Sequence, residues 1–304
     1  MSKFDTFKSG NLILKIAEVD ASIVSPANNS KYVDTKCTFE SGIFRLYLRP
    51  KRAIQVRHIA YEIDYAFEKD EAFFANGYQS WTDTREFKKG DKIHDLGLIG
   101  KTTSLGKIFV NAGDYSFARY NKRRSLYHGI SYGYMRLGSR VCLLGSLYER
   151  NGYTIIYADM VRNKIIIEKD LSGVIIEDTK PYLLFEVFTK TGKYDEVFDA
   201  YFDAFNVKLR TTEKLKGYTS WYNYYSNISE EIVLRDLNGL ASATSEINAF
   251  QIDDGYQTAV GDWLSVDAKK FPNGMKAIAD AIHSKNIKAG IWLAPLAAES
   301  KSQI

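Results

Sequence analysis

Between residues 215 and 304 short apolar runs alternate with amphipathic segments in the order strand, helix, strand, helix, strand. "GYTSWYNY" from Gly217 reads as a strand followed by a loop. "SEEIVLRDLNGLASAT" reads as a helix: Ser229 is an N-cap, Glu230 and Glu231 fill the first turn, and Ile232, Val233, Leu237 and Leu240 form an apolar stripe. "INAFQI" has almost no polar alternation, the pattern of a strand buried on both faces. "MKAIADAIHSKN" is a second helix and "IKAGIWLA" a third strand. Strands joined by helical crossovers run parallel, so this order implies a parallel sheet.

A (β/α)8 barrel takes roughly 250 residues, or about 31 per unit. The segment therefore corresponds to the first part of such a barrel, about three βα units. The sequence ends in "APLAAESKSQI" without an obvious closure, and the expectation is a fragment or a truncated reading frame. The alternative is a small open α/β domain of three strands, whose long apolar edges would be unprotected.

The first two-thirds reads differently. Residues 11–19, 42–48, 55–65, 131–137, 141–148, 154–159, 164–168 and 182–189 are short runs rich in β-branched and aromatic residues, separated by Gly, Asn or Asp. Many such runs at fairly regular spacing imply an antiparallel β-sandwich. Residues 194–205, "YDEVFDAYFDAF", carry Val197, Tyr201 and Ala204 at helical spacing and read as a linking helix. The expected division is a sandwich domain over 1–205 and a partial barrel over 215–304.

Composition narrows the function. Net charge is +4, and no block of five or more like charges occurs, so no nucleic-acid footprint is expected. The run Lys122, Arg123, Arg124 reads as solvated surface. No stretch of about 18 apolar residues occurs, so no membrane span is expected, and the N-terminus lacks the apolar segment of a signal peptide. A cytoplasmic protein is the default expectation. Cys37 and Cys142 are far apart and read as free thiols, and His58, His94, His128 and His283 form no cluster, so neither a metal nor a cofactor is expected. A homo-oligomer is left open.

"FQIDDGY" carries the chemistry. In a barrel the reactive groups sit at the C-terminal ends of the strands, where Asp253 and Asp254 follow the second strand. Trp221 lies near the end of the first strand and Trp292 near the end of the third. A carboxylate accepts hydrogen bonds from sugar hydroxyls, and an indole offers a flat apolar face to a pyranose. Each residue alone also fits a structural role, the tryptophans in a core and the acids in a turn. Asp262-Trp263 fits either a pocket contact or a structural loop.

"NGYQSW" (from Asn76), "GYTSWYNYY", "FQIDDGYQ" with "GDW", and "KFPNGMKAIADAIHSKNIKAGIWLAP" together resemble glycoside hydrolase family 36, the bacterial α-galactosidases. The resemblance implies an N-terminal β-supersandwich before the barrel, and a retaining enzyme acting on terminal α-linked galactose of raffinose or melibiose type. It implies that Asp253 and Asp254 hydrogen-bond the 4- and 6-hydroxyls, that Trp221 and Trp292 wall the pocket, and that Trp81 is pushed into the barrel mouth from the N-terminal domain. It places the nucleophile and the acid/base beyond Ile304, so a chain of 304 residues is expected to be inactive by itself. Tyr78, Tyr218 and Tyr256 stand where many members have Trp; their aromatic character is kept. Within the family an α-N-acetylgalactosaminidase or a galactosyl transferase is the near alternative. A non-catalytic sugar-binding or assembly module is the alternative from another class.

Overall fold

The computed structural model describes residues 9–17, 19–24, 31–79, 81–93, 113–118, 125–177, 180–243 and 246–303. The chain divides into two compact units, Met1–Lys208 and Leu209–Ile304. His94 and the basic run at 122–124 lie outside the described residues.

The described strands of the first unit are β1 (Asn11–Ile16), β2 (Val19–Val24), β3 (Val33–Glu40), β4 (Ile43–Pro50), β5 (Ile54–Asp64), β6 (Ala72–Ala75), β7 (Arg85–Lys88), β8 (Leu126–Ile130), β9 (Tyr132–Leu137), β10 (Arg140–Ser146), β11 (Thr154–Asp159), β12 (Lys164–Lys169), β13 (Ile175–Ile176) and β14 (Tyr182–Lys193). They form two antiparallel sheets of seven strands. One runs β2-β1-β5-β12-β11-β8, with β13 added on β5; the other runs β3-β4-β14-β10-β9-β6-β7. Alternation along the strands aims one face of each sheet inward: Leu12, Leu14 and Ile16 on β1, and Phe44, Leu46 and Leu48 on β4, are fully or almost fully buried in one shared core. Each of the eight runs read as strands from the sequence holds a strand here, but 11–19 is not a single one: β1 stops at Ile16, Ala17 turns, and Val19 starts β2.

The outer face of the second sheet is covered by helix α1 (Tyr194–Phe205), as its spacing predicts. Val197 and Tyr201 pack against Tyr134, Val141, Leu143 and Phe188. The Tyr201 hydroxyl donates to the Ser146 carbonyl at 2.8 Å. Its ring lies so close to Gly145 that a Cβ there would fall 2.4 Å from a ring carbon, which fixes a glycine at that position.

The second unit is a three-stranded parallel sheet, β15 (Gly217–Thr219), β16 (Ala249–Ile252) and β17 (Lys288–Ile291). Its helices are α2 (Trp221–Tyr224), α3 (Glu230–Ala243) and α4 (Gly274–His283). Ser229 caps α3 as expected, its Oγ accepting from the Ile232 N–H. Val233 and Leu237 of α3, with Ile278 and Ile282 of α4, cover Phe250 and Ile252.

Two expectations need correction. The residues after the first strand, read as a loop, form a single helical turn: β15 stops at Thr219, and Trp221, near its end as expected, opens α2. β16 is not buried on both faces: Phe250 and Ile252 are, whereas Ala249 and Gln251 are only half-buried. The helices pack one face of this sheet, and the other lacks the filled layers that the inside of a closed barrel holds.

Candidate functional site

At the C-terminal end of the parallel sheet, Thr219, Trp221, Tyr222, Gln251, Asp253, Asp254 and Trp292 line a depression of about 410 Å³. Four of the five residues singled out from the sequence thus meet in one place. The fifth, Trp81, belongs to the first unit, in the loop between β6 and β7, where it is 61% exposed.

The two acids are not equivalent. Asp253 is 7% exposed. Its Oδ2 accepts from Thr219 Oγ1 and Gln251 Nε2, each at 2.7 Å, and its Oδ1 accepts from the Asp254 N–H at 2.9 Å. Its own N–H donates to Ser220 Oγ. A carboxylate has about four lone-pair sites, and the protein fills three of them. Asp253 therefore ties the end of β16 to the end of β15.

Asp254 is half-buried. Its Oδ1 accepts from Gln257 Nε2 at 2.5 Å, and among the described residues its Oδ2 has no protein donor. The turn-capping role that an acid could have taken here belongs to Gln257, whose Oε1 accepts from the Gly255 N–H. Gly255 sits at φ 110°, and a Cβ would lie 2.3 Å from the Ser226 carbonyl oxygen, so the residue after the two acids has to be glycine. Lys270 Nζ closes the turn by donating to the Ser226 and Gly255 carbonyls, each at 2.9 Å.

The aromatic walls are anchored separately. The Trp292 N–H donates to the Ile252 carbonyl, carrying the β16–β17 ladder one residue past the strand. Trp221 meets the Tyr225 ring edge-on at 5.2 Å. Tyr218 stacks on Phe250 at 4.5 Å and donates to Asp236 at 2.6 Å. Burial and that bond push the Tyr218 hydroxyl far up. Burial opposes ionisation of Asp236, but hydrogen bonds from Tyr218, Tyr224 and Arg235 outweigh it and hold its carboxyl below the usual range. Asp262 is structural: its Oδ1 takes the Gln303 N–H and the Ser302 hydroxyl, and neither it nor Trp263 lines the depression.

In the first unit, the loop bearing Trp81 is held by a buried acid. Asp114 accepts from the Tyr78 N–H (2.8 Å), the Gln79 N–H (3.0 Å) and His128 Nε2 (3.0 Å), and its own N–H donates to Thr82 Oγ1. Burial works against its charge, but the bonds from His128, Tyr78 and Gln79 outweigh it and hold the carboxyl below its ordinary value. Tyr78 and Tyr153 are both exposed, with ring centroids 5.3 Å apart.

Sequence reasoning missed Thr219, Gln251 and Gln257. A signal existed for Gln251: two residues before Asp253 on an extended segment, it shares that residue's face. Among the described residues no helix is long and apolar enough to cross a membrane, and no group of three or more His, Cys, Asp or Glu is placed to hold a metal ion.

Residues 195–304 match the Melibiase family. Among curated proteins, the probable α-galactosidase of Dictyostelium discoideum is 34% identical over 83 residues, 25% of this chain and 21% of that protein. Alpha-galactosidase Mel36A of Lactobacillus acidophilus is 38% identical over 56 residues, 16% of this chain and 8% of that protein. Among solved structures, the Thermus thermophilus α-galactosidase TtGalA, in complex with p-nitrophenyl α-D-galactopyranoside, superposes with a TM-score of 0.59 at 23% identity, over 89% of this chain and 51% of that one. The family 36 α-galactosidase AgaA of Geobacillus stearothermophilus, in complex with 1-deoxygalactonojirimycin, superposes at 0.51 and 12% identity, over 98% of this chain and 44% of that one. The chain spans about half the length of these solved structures, and its matches cover about a fifth or less of these curated relatives. At these identities the superpositions establish the fold, while residues 195–304 carry the family pattern in sequence. On both grounds the chain resembles the α-galactosidases of glycoside hydrolase family 36.

Proposed function

We propose that the depression at the end of the parallel sheet holds a terminal α-linked galactose, and that residues 1–304 form the sugar-recognising part of a retaining α-galactosidase acting on raffinose- or melibiose-type oligosaccharides. The observation that carries this is Asp254: a half-buried carboxylate with one oxygen fixed by Gln257 and the other without a protein donor, opening onto a depression that Trp221 and Trp292 also line. A sugar hydroxyl supplies the donor that oxygen lacks, and an indole supplies a flat surface for the C–H face of the ring. Asp253 contributes its remaining lone pair and, by fixing Thr219 and Gln251, the shape of the floor.

Asp253 and Asp254 bind rather than cleave. A retaining pair needs two carboxyl groups facing each other about 5 Å apart across the glycosidic bond. These two are adjacent in sequence, the first is sealed by three protein donors, and they are joined through the Asp254 N–H. By the resemblance, the sheet of which β15, β16 and β17 are part is a (β/α)8 barrel, with the cleaving carboxylates after its fourth and sixth strands.

Saturation-transfer NMR on residues 1–304 tests this with methyl α-D-galactopyranoside and its 4-epimer, methyl α-D-glucopyranoside. Selective contact with the galactoside is expected, together with no hydrolysis of an aryl α-galactoside. Equal contact with both epimers would remove galactose as the ligand; turnover surviving repurification would overturn the division between binding and cleaving residues.

A further inference from the structure

The loop that follows Asp254 touches the depression at neither Asp262 nor Trp263, yet it is fastened at both ends. At its start, Gln257 orients Asp254, and a β-bridge joins Gln257 to Val266. In its middle, the Val260 N–H donates to Glu299 Oε1, and the Glu299 N–H returns a bond to the Val260 carbonyl, both at 2.9 Å. Asp262 accepts from Ser302 Oγ and the Gln303 N–H, and Gly261 comes so close to Ser302 that a Cβ would fall 2.5 Å from its Oγ. The loop after β16 is thereby laced to the segment after β17. Between those fastenings Trp263 stands edge-on to Trp292, with ring centroids 5.8 Å apart and planes at 76°. Its Nε1–H is buried and makes no hydrogen bond among the described residues.

We propose that Trp263 is a positioning residue: it sets the orientation of Trp292, the aromatic wall of the depression, so that one braced loop fixes both the acid and the indole that meet the sugar. Trp292 follows the last residue of a strand, where a single backbone bond holds its main chain and nothing in the ladder fixes its ring. The perpendicular contact with Trp263, whose loop the Val260–Glu299 and Asp262–Ser302 fastenings hold, supplies the missing restraint. Trp263 does not line the depression, so its effect runs through Trp292.

This rests on the galactose reading, and two readouts separate the two ideas. The chain of residues 1–304, labelled with 5-fluorotryptophan, carries four indoles, and the Trp292 resonance is assigned with Trp292→Phe. In Trp263→Leu the solvent-isotope shift of the Trp292 resonance is expected to rise as the ring swings outward. The Kd for methyl α-D-galactopyranoside is expected to rise roughly three- to tenfold, the factor to which an aromatic pair of this geometry corresponds. Trp263→Phe, which keeps an aromatic edge, is expected to recover most of both. If Trp263→Leu does not fold, Trp263→Phe against wild type carries the test, with a smaller rise in the same isotope shift. An unchanged shift overturns the proposal whether or not the sugar binds. An unchanged Kd in a folded Trp263→Leu chain that binds galactoside also overturns it. A wild-type chain that binds no galactoside sinks the galactose reading alone, and the isotope shift then decides the role of Trp263.

Discussion

Asp114 in the sandwich and Asp254 at the end of β16 are the same side chain put to opposite uses. Asp114 is fully buried, and both its oxygens are taken by the Tyr78 and Gln79 N–H groups and by His128. Asp254 is half-buried and has one oxygen taken. The sandwich spends its carboxylate on holding a loop. The parallel-sheet unit holds its loop with Gln257 and Lys270 and, among the described residues, leaves one Asp254 oxygen without a protein donor. The structural acid is satisfied from all sides; the acid that we propose reads the sugar is fixed on one side only. Asp253 is intermediate, with three of its lone pairs filled.

Substitutions can break or sharpen that contrast. The largest effect is expected at Asp114. Asp114→Ala leaves a buried His128 and two backbone N–H groups without their acceptor, and each buried polar group left unsatisfied costs about 1–3 kcal/mol. Thermal unfolding of the sandwich should move down accordingly. The same group predicts a pH dependence. Its folded pKa lies below its unfolded one, so its contribution is complete above the unfolded value of about 3.9 and is lost as pH falls through the folded value. Urea midpoints between pH 5 and pH 2.5 should fall more steeply for wild type than for Asp114→Asn; parallel curves would show that Asp114 is not the group responsible.

Next comes Asp254→Ala. Hydrogen bonds to a charged group contribute about 1.5–3 kcal/mol, so galactoside affinity should fall roughly ten- to hundredfold, with the melting temperature lowered far less than by Asp114→Ala, since only the bond from Gln257 is lost. Asp253→Asn should lose both: about 1–3 kcal/mol of stability, from donors left unmatched between β15 and β16, and a part of the affinity. Calorimetry and a sugar titration on one preparation separate it from Asp254. Smallest is Tyr218→Phe, which removes one hydroxyl from Asp236 and should cost about 1 kcal/mol without touching sugar affinity.

How much of this was legible in the sequence follows the same division. "GIFRLYL" was readable from its alternation, which burial of one pleated face demands, and "TIIYAD" as a short continuous apolar run buried along its whole length. β3, "VDTKCTFE", was not: as an edge strand with mostly half-buried residues it lacks a clean apolar face. β6 and β7 are four residues each, too short to show a period. In the site, Asp253, Asp254, Trp221 and Trp292 stood out because acids and indoles directly after strand-like runs are conspicuous. Thr219 and Gln251 did not, since their pairing with Asp253 depends on the register of β15 against β16, which the sequence does not print. Gln257, Asp114 and Trp263 act through contacts 3, 36 and 29 residues away, formed only once the loops fold (257 − 254, 114 − 78 and 292 − 263).

The claim that Asp254 reads the sugar while the protein around it needs nothing from that free oxygen is tested most directly by one paired measurement. Methyl α-D-galactopyranoside is titrated into residues 1–304 and into Asp254→Ala by NMR, with the melting temperature of each taken from the same sample. The expected result is at least a tenfold weaker Kd, with the melting temperature lowered by no more than loss of the single Gln257 bond accounts for. A lowered melting temperature with an unchanged Kd would make Asp254 a structural acid like Asp114 and contradict the account.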